Sequence, residues 1–279
     1  MKLLTVYLVL LSAFLSAQNT VILSPLTMKS SKFVTEDYGK SNLNIYYQFV
    51  YSDQKNFPNN KPREGLCLLQ IGDYISKFSD VTNLKLDSLK EKYSRQEYVD
   101  NKDINVMLRY NVLWKTISLK NNRENKVTFQ HRVRQLYEYE EELPTFDWIL
   151  QEGEKKIIGY NCKKASVKYR GRDYVAWYST EIPVNNGPYV FQGLPGLILE
   201  LEDSENKFHF VANGINKTSS TIYIEAGKNI IKTSRDKFRN MKEAYYYNPA
   251  AFHGSAYNSD GSKIITRSNK IPYDPMELE

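Results

Sequence analysis

Between residues 127 and 138 the chain alternates with a period of two. Val127, Phe129, His131, Val133 and Tyr137 share one face of an extended backbone, and Thr128, Gln130, Arg132, Arg134 and Glu138 share the other. A helix would scatter these apolar residues around its circumference, whereas a strand gathers them on one buried side. The same rhythm runs through Ile45, Tyr47, Phe49 and Tyr51, through Cys67, Leu69 and Ile71, and through Leu197, Leu199 and Leu201. Turn signals punctuate it at Gly72-Asp73, at residues 121–125, at Arg170-Gly171-Arg172-Asp173 and at residues 203–206. Roughly ten short strands with no βαβ rhythm imply a mostly antiparallel sheet.

The expected fold is therefore mainly β: a large curved antiparallel sheet or open barrel with one or two packed helices. Its concave face could hold an apolar ligand. Leu84, Leu86, Leu89 and Tyr93 predict one helix within residues 80–98. A second runs from a Ser234 cap across Phe238, Met241, Ala244 and Tyr245, ending before Pro249. Residues 106–119 and 127–137 are each predicted as strand. The acidic run Glu138, Glu140, Glu141, Glu142 is predicted as a solvated edge.

The N-terminus predicts an address. Lys2 precedes an apolar run over residues 3–15, and Ser12, Ala13, Ser16 and Ala17 are small residues near a cut. Cleavage after Ala17 is expected, giving a signal peptide at residues 1–17. An N-terminal segment at 18–40, one β-rich domain at 41–248 and a loosely ordered tail at 249–279 follow. The apolar run falls short of the roughly 20 residues a spanning helix needs.

One irregular stretch stands out. Gly187, Pro188, Tyr189, Val190, Phe191, Gln192, Gly193, Leu194, Pro195 and Gly196 lead into the strand Leu197-Ile198-Leu199. Pro195-Gly196 suits the centre of a type II turn, with φ > 0 at Gly196. A rigid apolar loop feeding a core strand is expected. Residues Gly193, Leu194, Pro195, Gly196, Leu197 and Ile198 resemble the signature of the GLPGLI family of Bacteroidetes envelope proteins. The Gly159–Ala165 block, Gly171-Arg172, Ala176-Trp177-Tyr178, Glu181-Ile182-Pro183 and the ending Pro275-Met276-Glu277-Leu278-Glu279 are similar to that family as well. The resemblance implies a secreted or periplasmic protein and carries no established activity.

Charge and cysteine content bound the function further. The 38 Lys and Arg against 32 Asp and Glu give a net charge of +6, but the signs are mixed and no basic stripe suggests nucleic acid. Aromatics make up 13% of residues, enough for a substantial core. Cys67 and Cys162 are the only cysteines. In an oxidising compartment they form either one disulfide or two buried thiols.

No catalytic constellation is legible. The three histidines, His131, His209 and His253, lack metal-ligand spacing, and no Gly-x-Ser-x-Gly elbow is present. No metal or other cofactor is expected. The candidate binding residues are Arg170 and Arg172, whose guanidinium forks suit a carboxylate or phosphate, and Trp177, Tyr178, Tyr189 and Phe191, which could line a groove. The sequence thus points to a binding or scaffolding protein for a peptide, lipid or envelope partner. A hydrolase of peptide or glycan, its site assembled from distant residues, is the alternative.

Overall fold

The computed structural model describes residues 27–53, 59–252, 256–257, 263–264, 270–271, 273 and 275–279. The expected signal peptide and His253 lie outside them. In chain order the elements are β1 (Thr27–Lys29), β2 (Val34–Lys40), β3 (Leu43–Tyr51), β4 (Arg63–Ile71), β5 (Ile75–Asp80), α1 (Val81–Ser94), β6 (Tyr98–Asp100) and α2 (Asn101–Leu108). Then come β7 (Thr116–Asn121), β8 (Lys126–Arg132), β9 (Leu136–Glu142), β10 (Ile149–Ile157), β11 (Tyr160–Tyr169), β12 (Arg172–Ser179), β13 (Leu197–Asp203), β14 (Phe208–Asn216) and β15 (Thr221–Ala226). Strand β16 (Ile230–Lys232), α3 (Arg235–Tyr247), β17 (Ala256–Tyr257) and β18 (Lys263–Ile264) complete the order.

The contacts divide the chain into two units. One comprises residues up to Val34 with Val81–Val112, and the other comprises Thr35–Asp80 with Leu113–Glu279. In the smaller unit β1 pairs with β6. Asp100 caps α2, its carboxylate accepting from the Asp103 amide at 2.9 Å. That cap corrects the strand expected over residues 106–119. A short apolar run fits either period, so the local hydrogen bond decides, and only Thr116–Asn121 is strand.

The larger unit is a twelve-stranded sheet in the order β10-β11-β12-β13-β14-β3-β4-β5-β7-β8-β9-β16. Every pair is antiparallel except β16 with β9. The two ends do not meet, so the sheet stays open. The expected mainly β fold with packed helices is the observed one. Strand β3 inserts beside β14, which places Phe49 directly opposite Phe210. Their rings stack at 4.5 Å. Tyr47, Phe78, Trp114, Phe129 and Phe191 join them in the core. Helix α3 starts at the expected Ser234 cap. It packs Phe238 against His131, Tyr137 and Tyr139.

Three further differences have local causes. The strand expected over residues 127–137 breaks at 133–135, where the Val133 amide bonds to the Gln135 carbonyl. Residues 34–40, polar to the eye, form a strand because β15 offers them a backbone partner. Glu138 is buried, not solvated, and accepts from Gln130 and Lys232.

Both cysteines are buried free thiols, so the disulfide alternative is not realised. Strands β12, β13, β14 and β3 separate β11, which carries Cys162, from β4, which carries Cys67.

Candidate functional site

The irregular loop is held by side chains donated from neighbouring strands. The Ser118 hydroxyl donates to the Tyr189 carbonyl at 3.0 Å. Lys120 Nζ donates to Asn186 Oδ1 at 2.6 Å, and the same oxygen accepts the Gly187 amide. Trp148 Nε1 donates to the Gln192 carbonyl at 2.8 Å. A loop that cannot pair as a strand must satisfy its backbone groups in such ways when buried. Lys120 is itself buried, no carboxylate pairs with it among the described residues, and burial lowers its pKa to about 7.

The Pro195-Gly196 expectation needs correction. Positive φ belongs to Gly193, at 99°, and not to Gly196. Glycine is required at 196 for space: a Cβ there would sit 2.1 Å from the Ser179 carbonyl oxygen. Gly196 is where the loop passes hard against the end of β12.

The aromatic candidates divide between core and surface. Phe191 is fully buried, ringed by Phe146, Tyr169 and Tyr174 at 5.0, 5.5 and 4.8 Å. Tyr178 and Tyr189 are buried too. Trp177 is half-buried beneath the Lys155 ammonium, 4.4 Å from its ring.

The arginine candidates meet carboxylates of this same chain. Arg170 and Gly171 form the two-residue turn between β11 and β12, with φ of 46° and 79°. Both values are positive, as a type I′ hairpin turn requires. The turn aims Arg170 at Glu141 (3.1 Å) and Glu277 (3.0 Å). Arg172, buried on β12, reaches Asp203 at 3.2 Å and Glu205 at 2.9 Å. Asp203 also accepts the Lys207 and Phe208 amides.

Glu277 belongs to a segment, residues 275–279 with a bend at Met276, that is seated on this hairpin. The Pro275 carbonyl accepts from Arg172, the Met276 carbonyl from the Tyr174 hydroxyl at 2.6 Å, and the Leu278 carbonyl from Arg239. The Leu278 amide donates to the Arg170 carbonyl, and the Glu279 carbonyl accepts from Arg235. Gly171 permits the approach, since a Cβ there would lie 2.9 Å from Leu278 Cβ. Met276 is buried. The Glu277 carboxylate accepts from the Tyr189 hydroxyl at 2.6 Å and from Arg235 at 3.0 Å as well as from Arg170. This seat gathers Arg170, Arg172, Tyr174, Tyr189, Arg235 and Arg239 around one peptide segment. Of it, the sequence signalled the arginine turn, the tyrosine and, through the family resemblance, the Pro275–Glu279 segment. Arg235 and Arg239, on α3, carry no signal of their own.

A second polar group forms across β10, β13 and β14. Ligand atoms of Glu200, Glu202 and His209 lie within 4.8 Å of one another. Glu200 accepts from His209 Nε2 at 3.0 Å and pairs with Lys155. Burial pushes its carboxyl up, but these two hydrogen bonds outweigh burial and hold it below the usual range. Lys155 supplies a cation to these carboxylates from within the chain. His131 is buried on its strand, as expected, with Nδ1 against the Thr116 hydroxyl at 2.8 Å. Neither described histidine is bonded to a serine or cysteine. Burial raises both thiol pKa values, that of Cys162 to about 11, which keeps them protonated.

The fold and this seat define a class: an open, mostly antiparallel β-sheet protein that seats residues 275–279 of its own chain. Residues 168–200, which span β12 and the irregular loop, match a family described as "Protein of unknown function (Porph_ging)". No curated protein matches. Solved structures of PNGF-II in P21 and C2 space groups are similar at TM-scores of 0.47 and 0.46, with 14% and 15% identity. The similarity covers 73% of this chain but 33% and 32% of those. The chain thus spans about a third of their length, and a likeness this slight carries no argument about activity.

Proposed function

We propose that this chain is a secreted or periplasmic binding protein of the GLPGLI type, and that its ligand is a polypeptide segment. The observation that supports this reading is the seat at the β11–β12 hairpin. It recognises a backbone through several carbonyl and amide contacts and a carboxylate through Arg170, Arg235 and Tyr189. Arginine forks and a phenol suit a carboxylate in a partly desolvated place. A lipid reading fares worse, because Phe191, Tyr178 and Tyr189 are consumed by the core. The export reading rests on the charged, apolar and small-residue pattern of residues 1–17.

A peptide-display library panned on the immobilised full-length chain tests the ligand class. Enrichment of acidic peptides, lost with Arg235→Gln, is the expected result. No enrichment over a blank surface refutes it.

A further inference from the structure

We infer that residues 275–279 are the resident occupant of a docking groove, and that an outside polypeptide with a glutamate directly after a large apolar residue docks by displacing them. The inference rests on the peptide-binding reading and names its partner and its regulation.

Three observations carry it. First, the groove is assembled from β9, β11, β12, the irregular loop and α3, all of which precede residue 248, so no wall of the seat comes from the tail itself. Second, the contacts to residues 275, 276, 278 and 279 are made to main-chain groups. Another segment following the same path offers the same groups whatever its side chains. Third, specificity sits at two positions: the buried Met276 side chain, and the Glu277 carboxylate held by two guanidiniums and a phenol.

The tail competes because it is tethered. A tethered segment acts at a raised effective concentration compared with a free peptide. An untethered peptide therefore binds in proportion to the fraction of molecules whose seat is vacant. Weakening the tail raises that fraction without touching the seat. Glu277→Ala does this, and Glu141 remains beside both Arg170 and Arg235.

The test uses a fluorescent peptide of residues 273–279, Tyr-Asp-Pro-Met-Glu-Leu-Glu, titrated by anisotropy against the full-length chain. Glu277→Ala should bind it about ten times more tightly than wild type, or better. Replacing the peptide's central glutamate by glutamine should cost about tenfold. Adding Arg235→Gln to Glu277→Ala should abolish binding. Equal binding by wild type and Glu277→Ala, or indifference to the peptide's glutamate, overturns the inference. If Glu277→Ala does not fold, Met276→Ala replaces it. Loss of folding in both means that the tail is a structural strut, which also overturns the inference. Library peptides captured equally by wild type and Glu277→Ala would leave the peptide-binding reading standing while this groove assignment fails. Capture by neither would remove both.

Discussion

The Tyr189 hydroxyl donates to the Glu277 carboxylate at 2.6 Å across 88 residues of sequence. One partner lies in the irregular loop at positive φ, and the other lies in the final segment of the chain. The bond ties the loop to the tail. A hydrogen bond to a charged group contributes about 1.5–3 kcal/mol. Tyr189→Phe keeps the ring in its place against Trp114 and Phe129 and removes only the hydroxyl. We expect urea unfolding to show a loss of that size, and Phe should leave the far-UV circular dichroism unchanged.

Gly196→Ala should destabilise by about 3 kcal/mol, because overpacking against a backbone atom has no flexible side chain to absorb it. At roughly 2–4 °C per kcal/mol for a chain of this size, calorimetry should record a fall of about 6–12 °C. Gly193→Ala is the comparison. Its φ of 99° strains an alanine, at about 1–2 kcal/mol. A larger effect at 193 than at 196 would show that close approach to Ser179 is not what requires glycine.

Lys120 makes stability depend on pH. Its folded pKa, lowered by burial to about 7, lies below the ordinary 10.5. Between those values the unfolded chain holds a proton that the folded chain lacks, so stability rises with pH across that window. Below about 7 both states are protonated and the full cost of burying the ammonium is present. Lys120→Met should flatten the rise between pH 7 and 9.5 by up to about 1.4 kcal/mol per pH unit. Lys242, lowered to about 8 by burial, leaves a residual slope in the variant. Urea midpoints at pH 7, 8 and 9 measure the difference, and parallel profiles for the two proteins would contradict the assignment.

Cys67 and Cys162 should both react with iodoacetamide when the protein is unfolded without reductant. Mass spectrometry should show two adducts. None in a homogeneous sample would mean that the thiols are bridged after all. In the folded protein neither should react quickly, since burial keeps both protonated.

The strands were legible wherever one face is buried and the other wet. Val127 and Phe129 alternate with Thr128, and Tyr47 and Phe49 with Gln48, because a sheet has a period of two and water on one side sorts the residues. Ser234 announced α3 because a cap is a contact between near neighbours. The helix at Asn101–Leu108 escaped notice because its apolar run suits either period.

The candidate site was half legible. Arg170 and Arg172 drew attention as a charged turn, and each proved to hold carboxylates. Their partners Glu277 and Asp203 could not be named, because no local spacing links residue 170 to residue 277. Phe191 looked like a groove residue and is core, since an aromatic residue in a loop carries the same signal in either place.

Sequence alone determined that this chain is a sheet: alternation, turn residues and helix caps are set within a few positions of one another. Only the tertiary structure decided which strands neighbour which, which glycine is needed for space and which for φ, and what the arginines hold. Those outcomes depend on groups far apart along the chain, and the free energy of such meetings is settled by packing and desolvation in the folded state.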